Sequence, residues 1–490
     1  MVPKKLICPI SLRHSGHSEI DYVLNGCCPN PLTSSSIVSQ PSLNRQIFSL
    51  AIPTIVGFLG IILFEAIDIF WIGKLGPNAV AAVGGASFLL WTLFALMNLT
   101  NTGTATMIAQ FWGSGNRQAR HEVAREAFWY VLFFSLLAII VLHFTIDDLL
   151  RLMGLDQATQ QLALEYFRVY LYGLPAIYLF NLQGQIFNAH GAVRLRTVIM
   201  LFSLGLNIVL DPLLIFGYWG FPKMGISGAS TATLISESVG VLISIYALRR
   251  WDYIDRLRSF GHISMHYLKR LLGIGIPSAA TNMTWTIVFP LLTVVITRFG
   301  MEPLAGLNIA NRWEGFPYFF GVGLSVAIST LVGHSIGRGE LDRAKRIAGR
   351  GVTLVTVALL PVSLIFILIP EQLIALLNSD PQVMRHGAEY LRIVGYFEIL
   401  LGWELVLEGV YNGIGNTRPY MWVRIPLTLG RIPLAWLLAI TLGMGISGVW
   451  WAISVTTLLK GLVLMLVYRI QERKGTLFQM SPLSDAAKGN

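Results

Sequence analysis

From Phe48 to about residue 469 the chain is a succession of apolar stretches separated by short polar breaks. As an α-helix, about 20 apolar residues cross the hydrocarbon core of a bilayer. Stretches of that order fall at 48–74, 80–110, 127–147, 162–188, 196–218, 226–249, 269–297, 305–333, 351–370, 386–413, 419–442 and 446–469. None alternates with the period of a strand. An open sheet cannot cross lipid, because its edge groups would find no hydrogen-bond partner there. The pattern predicts an all-α polytopic membrane protein with twelve transmembrane helices. Composition supports this: only 13% of the 490 residues are charged, against about 25% in soluble chains. A soluble domain, a disordered chain and a disulfide scaffold are all excluded.

The three cysteines, Cys8, Cys27 and Cys28, all precede the first span. No disulfide can therefore staple the membrane body, and the adjacent pair lacks the spacing of a zinc site. Residues 1–47 are polar, with Ser34, Ser35 and Ser36 and several prolines. They lack the immediate apolar core of a secretory signal. The expectation is a disordered cytoplasmic tail. An organelle transit peptide is the other reading, and Glu19 and Asp21 count against it.

The formal net charge is +10. Its placement matters more than its size, because lysine and arginine are retained on the cytoplasmic side of short loops. One set of loops holds Arg117, Arg120, Arg125, Arg194, Arg196, Arg249, Arg250, Arg256, Arg258, Lys269, Arg270, Arg338, Arg343, Lys345, Arg346, Arg350 and Arg418. The opposite set holds Lys74, Arg151, Lys223 and Arg298, together with Asp147, Asp148, Asp156, Glu302, Glu371 and Asp380. Both termini are expected in the cytoplasm. The charge then sets topology, and no nucleic-acid partner is expected.

The chain also matches itself when displaced by 224 residues: Pro53 meets Pro277, Gly76 meets Gly300, Thr106 meets Thr330, and Asn188, Gly191 and Arg194 meet Asn412, Gly415 and Arg418. With four residues lost, Gly225-Ile-Ser-Gly228 meets Gly445-Ile-Ser-Gly448. Two six-helix repeats follow, inserted in the same sense because six is even. The expected organisation is a tail at 1–47, one bundle at 48–250, a basic linker at 251–268, a second bundle at 269–470 and a tail at 471–490. Parallel repeats of this kind commonly rock about a central substrate path.

Polar residues inside the spans break the repeat. Asp68 in the first span corresponds to Leu292, and Asn207 and Asp211 in the fifth correspond to Arg431 and Ala435. Asn207 and Asp211 lie four residues apart, on one helical face. An intramembrane carboxylate is costly unless paired, protonated or hydrated. Two carboxylates and an amide can offer oxygens to a hard cation, or a carboxylate can carry a proton, its affinity raised by burial and like charge. The plainer reading is that Asp211 caps a break at Pro212 and Asp68 sits near an interface. Glu65, one turn before Asp68, either extends this group or meets solvent in a central cleft. In the tenth and eleventh spans, Glu398, Glu404 and Glu408 face Arg424 and Arg431 in number, so acid–base pairing is the expected arrangement. The alternative places Glu404 or Glu408 in a substrate cleft. Pro53 allows a kink in the first helix, about four turns from Asp68. Trp91, Trp285 and Trp403 lie deep enough to stack on aromatic or cationic ligands, although packing accounts for most such residues.

No GxxxxGK[ST] phosphate loop, HExxH or GxSxG motif occurs. An ATP motor and an enzyme are therefore not expected, and no cofactor is implied.

Taken together, the two six-helix repeats, Leu50-Ala-Ile-Pro53, Asp68-Ile-Phe-Trp-Ile-Gly73 and Asn207-Ile-Val-Leu-Asp211-Pro-Leu-Leu-Ile-Phe-Gly217 resemble the multidrug and toxic compound extrusion family, and within it the DinF-like prokaryotic branch. The resemblance covers about 48–470. It implies a V-shaped pair of bundles that exports cationic or amphipathic organic compounds in exchange for H+ or Na+ by alternating access. It implies a cation site in the N-terminal bundle at Asp68, Asn207 and Asp211, with Tyr166 and Thr233 completing the network and Pro53 as the hinge. Na+ would be held at Asp68, Asn207, Asp211 and Thr233. The C-terminal acid of the other branch has no match near Leu292, and Arg424 and Arg431 depart from the expected pattern. The implied setting is the inner (plasma) membrane, or an organelle membrane if the tail is a transit peptide. The implied partners are membrane lipid and small organic substrates, and a monomer is expected. A flippase for lipids or lipid-linked oligosaccharides is the alternative, kept open by Arg298, Arg312, Arg424 and Arg431.

Overall fold

The structure is a computed structural model that describes residues 42–152, 156–254 and 265–477. The expected N-terminal tail up to residue 41, with its cysteines, lies outside the described residues, as do Arg256 and Arg258 of the linker and the tail from residue 478. Fourteen α-helices are described: α1 (Leu43–Gly73), α2 (Pro77–Ser114), α3 (Arg117–Leu152), α4 (Gln157–Ala189), α5 (Val193–Phe216), α6 (Ile226–Arg250), α7 (Met265–Thr297), α8 (Met301–Gly337), α9 (Leu341–Leu368), α10 (Pro370–Ala375), α11 (Pro381–Gly395), α12 (Glu398–Ile414), α13 (Arg418–Trp436) and α14 (Ile446–Arg473).

Ten helices among the described residues are long and apolar enough to cross a membrane. Two more crossings complete the two sets of six. One is α4, which packs against α2, α3 and α6 and buries Tyr166, Tyr170, Tyr178, Gln183 and Asn188 there. The other is the α11–α12 pair, which breaks at Tyr396–Phe397 where a single span is expected from sequence. Ser363 of α9 donates to the freed Gly395 carbonyl at that break, which keeps the interruption from leaving a bare acceptor in the bundle. The chain is thus an all-α, multi-pass protein of two parallel six-helix repeats set as a V-shaped pair of bundles.

The repeat is visible in backbone geometry. Gly76 and Gly300 precede α2 and α8 with φ of 117° and 115°. Gly115 and Gly339 follow those helices at 73° and 75°, and Gly191 and Gly415 turn the chain at 78° and 84°. A side chain resists these conformations, and glycine does not.

The bundles meet along α1, α2, α7 and α8, with α1 packed on α8 and α2 on both α7 and α8. The contacts obey the same two-fold relation. Thr106 Oγ1 donates to the Asn412 carbonyl at 2.7 Å, and its counterpart Thr330 donates to the Asn188 carbonyl at 3.1 Å. Gln110 donates to the Gly413 carbonyl at 3.0 Å, while its counterpart His334 places Nε2 2.7 Å from the Ala189 carbonyl. Glycines bring the backbones this close. A Cβ built on Gly275 falls on the Leu99 carbonyl, and one on Gly113 or Gly337 falls on the carbonyl of His334 or Gln110. These bonds gather at the end whose loops carry Arg117, Arg194, Arg338 and Arg418. The bundles close at that basic end and part towards the other.

The seam gives the first prediction. Gly275→Leu has no space to fill, and overpacking of this kind costs about 1–3 kcal/mol. Its thermal midpoint in detergent is expected to fall below that of unmodified protein. Gly349→Ala, where an added Cβ meets nothing, is expected to melt no lower. Equal midpoints for Gly275→Leu and Gly349→Ala would show that the seam is not tightly packed.

Candidate ion-coupling site

Four helices of the N-terminal bundle build the candidate site. On α5, Asn207 and Asp211 are buried, and Tyr166 on α4 is buried beside them. Tyr166 lies within electrostatic reach of both Asp68 and Asp211, and those two carboxylates lie within reach of each other. Asp68 reaches the group from α1. The Asn207 amide is best satisfied with its nitrogen donating to the Asp211 carboxylate, at 3.0 and 3.3 Å, and its oxygen accepting from Thr233. The Thr233 hydroxyl then donates at 3.1 Å and its backbone N–H at 2.8 Å. In this orientation the amide joins α5 to α6. All five residues expected at the site, Asp68, Tyr166, Asn207, Asp211 and Thr233, are brought together. Asp211 lies inside α5 rather than at a break, since that helix runs on through Pro212 to Phe216.

One atom of this group is left over. Asp68 Oδ1 is buried and has no hydrogen-bond partner among the described residues. Such an atom is costly in a bundle interior. Protonation or an adjacent cation removes that cost. The oxygens of Asp68, Asp211, Asn207 and Thr233 fit a hard monovalent cation in kind.

Pro53 lies inside α1, which runs unbroken from Leu43 to Gly73. The Pro53 carbonyl accepts from Thr197 Oγ1 of α5 at 2.9 Å. Gly57 and Gly60 follow, each with a side chain of α5 against it. The lower part of α1 is thus pinned to α5, while Asp68 lies beyond the pinned section. Glu65 is exposed one turn before Asp68 and lies within electrostatic reach of Arg312 on α8, across the two bundles.

Two of the three acids of α12, Glu404 and Glu408, are paired. Arg424 Nε is 3.2 Å from Glu404 and its Nη1 3.2 Å from Glu408, while Lys460 Nζ is 2.9 Å from Glu404. Glu404 is 1% exposed, so its carboxylate is sealed between two cations rather than presented to a cleft. Glu408 is bound to the same guanidinium. The pairing expected between these helices is found for Arg424 with Glu404 and Glu408. Glu398 is buried with no hydrogen-bond partner for its carboxylate among the described residues, and Arg431 bonds threonines instead. Lys460 is a partner that sequence reasoning misses. Trp403 also packs inside, donating to Thr356 at 2.8 Å. Trp91 and Trp285 are more exposed and flank Phe289, with ring centroids 6.5 and 5.8 Å away.

The second repeat carries a different group at the equivalent place. Arg431, the counterpart of Asn207, is buried and donates to Thr456 at 3.0 Å and Thr457 at 3.2 Å. Tyr390, the counterpart of Tyr166, donates to Glu314 at 2.8 Å. Leu292 and Ala435 stand opposite the two aspartates and lie in the apolar core. A fixed guanidinium in this half stands where the first half gathers oxygens.

Fold and site together describe a multi-pass transport protein of duplicated architecture. The family model described as MatE matches residues 53–213 and again 277–437, the second range displaced by the 224 residues of the internal repeat. The chain belongs to the MatE family of multidrug and toxic compound extrusion transporters. It is similar to the probable multidrug resistance protein NorM of Thermotoga maritima, 26% identical over 412 residues, which cover 84% of this chain and 89% of that one. The multidrug resistance protein MdtK of Yersinia pseudotuberculosis is 25% identical over 455 residues, covering 89% and 97%. Among solved structures, an outward-facing multidrug resistance MATE family transporter of the MOP superfamily superposes with a TM-score of 0.82 at 26% identity, over 89% of this chain and 96% of that one. A MATE crystal structure in the bent conformation matches equally well, with a TM-score of 0.82 at 26% identity over 90% and 97%.

The ion pairs of the second repeat give a prediction about stability. Lys460→Met leaves Glu404 buried with one cation fewer, and breaking a buried pair from one side costs about 3–5 kcal/mol. The double variant Lys460→Met/Glu404→Gln removes the charge left behind and is expected to recover part of the loss. Thermal unfolding in detergent reads both. A single variant as stable as unmodified protein would show that the pair does not hold α12 to α14.

Proposed function

We propose that the protein is a secondary antiporter that exports cationic or amphipathic organic compounds in exchange for H+ or Na+. The observation that carries this reading is the group of Asp68, Asn207, Asp211, Thr233 and Tyr166, three of them buried, with the buried Asp68 Oδ1 unpartnered among the described residues. The relatives named for multidrug resistance support the substrate class. With the basic loops in the cytoplasm, both termini are cytoplasmic and the bundles part towards the outside. An ion entering from outside then reaches Asp68 and Asp211 first.

The coupling is thermodynamic. An ion gradient shifts the balance between two conformations only through unequal affinity for them. In the open form, Asp68 and Asp211 repel each other and share one site. Binding H+ or Na+ removes that repulsion and favours closer packing of α1 on α5, and α1 also lines the contact with α8. Tightening of α1 narrows the cleft and displaces the exported molecule outward. Closure at the parted end and opening of the seam expose the site to the cytoplasm, where the ion leaves and a new substrate enters. The flippase alternative needs free buried cations for a pyrophosphate. Arg424 is taken by Glu404 and Glu408, and Arg431 donates to Thr456 and Thr457. Arg312 lies within electrostatic reach of Glu65 and Arg298 stacks on Trp436, so these arginines do not gather into one cationic pocket that would favour it.

The test is efflux of a fluorescent organic cation from proteoliposomes under separately imposed pH and Na+ gradients. One gradient is expected to drive efflux. Asp68→Asn is expected to fold, to keep a normal elution profile, and to lose gradient-driven efflux by about 100-fold, the scale of removing an essential proton carrier. Efflux by Asp68→Asn equal to that of unmodified protein overturns the site.

A further inference from the structure

The sixth span contains one acid that the site above does not use. Glu237 is the only charged residue of α6 before Arg249. It is partly buried, and its Oε2 has no hydrogen-bond partner among the described residues. A carboxylate kept inside a membrane bundle without a partner calls for a functional account by default.

Its position is specific. Glu237 follows Thr233 by four residues, so the two share a face of α6. Thr233 is the residue that holds Asn207. Tyr170 follows Tyr166 by four residues on α4, their rings stacked with centroids 6.5 Å apart, and Tyr170 lies within electrostatic reach of Glu237. Ser203 precedes Asn207 by one turn on α5, and its buried hydroxyl also lacks a partner among the described residues. A Cβ built at Gly240 of α6 falls on Ser203 Oγ, so the two helices touch at this level. Glu237, Tyr170 and Ser203 therefore form a second polar layer, one turn nearer the basic loops than Thr233, Tyr166 and Asn207.

The second repeat gives an independent pointer. Displaced by 220 residues, as set by Gly225 and Gly445, Glu237 corresponds to Thr457. Thr457 accepts from the Arg431 guanidinium at 3.2 Å, and Arg431 corresponds to Asn207. In the repeat, then, the side chain at the position of Glu237 meets a positive charge at the position of the site amide.

We infer that Glu237 is a second proton-carrying carboxylate, which takes the coupling proton from the Asp68–Asp211 group and passes it towards the basic-loop end. This rests on the antiporter reading with H+ as the ion. In the step itself, the carboxyl O–H at Asp211 or Asp68 breaks and an O–H forms on the Glu237 carboxylate. The donor returns to a carboxylate, and no electrons are exchanged. The titratable group within electrostatic reach of Glu237 is Tyr170 on α4, and Tyr170 in turn stacks on Tyr166, which lies within reach of Asp68 and Asp211. The hydroxyls of Tyr170 and Ser203 are placed to relay the proton or to hold a bridging water. The relay role gives Glu237 no contact with the exported compound, so its loss is expected to leave substrate binding intact.

The experiment compares unmodified protein, Asp68→Asn, Glu237→Gln and Glu237→Asp in proteoliposomes, with rhodamine 6G as the probe. Glu237→Gln is expected to bind the probe in detergent as unmodified protein does and to exchange probe for probe, which needs no net proton movement. Its efflux driven by a pH gradient is expected to fall by about tenfold or more. Glu237→Asp keeps a titratable group and is expected to restore part of the rate with a displaced pH profile. Normal pH-driven efflux by Glu237→Gln, with Asp68→Asn inactive, overturns the relay and leaves the antiporter reading standing. Unmodified protein driven by Na+ alone overturns the relay and proton coupling together. If Glu237→Gln does not fold, Glu237→Asp decides, and a pH profile identical to that of unmodified protein overturns the inference.

Discussion

The whole architecture hangs on a few hydrogen bonds from one bundle to helix-end carbonyls of the other. Thr106 on Asn412 and Thr330 on Asn188 are the same bond made twice, as are the contacts of Gln110 and His334. Each such bond between membrane helices contributes only about 0.6 kcal/mol on average. Together with glycines that admit backbone to backbone, they fix which end of the V is closed. Closure there leaves the far parts of α1, α2, α7 and α8 free to diverge. A seam made of carbonyls and small residues has a further use in a moving protein. Its acceptors sit at helix ends, where water can take over when the bundles part, so opening leaves few groups stranded.

Duplication explains the scaffold, and departure from duplication explains the chemistry. Where both repeats must make the same turn, both keep glycine. Where the first repeat gathers Asp68, Asn207, Asp211 and Thr233, the second has Leu292, Arg431, Ala435 and Ile453. Oxygens on four side chains from three helices are the kind of ligands that a small cation or a proton takes, which is the basis of the proposed coupling site. In the second half the acids Glu404 and Glu408 are consumed by Arg424 and Lys460, which fasten α12 to α13 and α14.

Much of this is legible in the sequence because the membrane removes alternatives. Twelve spans stand out since a bilayer forces length and apolarity on every crossing. Asp68, Asn207 and Asp211 stand out because charge inside a span is costly and because their repeat partners differ. The break at Tyr396–Phe397 is not legible, since no proline marks it and the compensating hydroxyl of Ser363 is far away in sequence. The seam is hidden for a related reason: its acceptors are carbonyls, which every residue possesses. Lys460 and Glu237 were both readable in principle as lone charges in apolar helices. Neighbouring serines and threonines mask Glu237, and nothing near Lys460 in sequence announces Glu404.

Arg431 has a consequence for energy transduction. A charge bonded to the chain cannot exchange with either compartment, so its occupancy carries no information about a gradient. The second bundle is thereby held in a permanently loaded electrostatic state. In the proposed antiporter, one half of the molecule would sense the ion and the other would supply an unchanging reference against which that half moves.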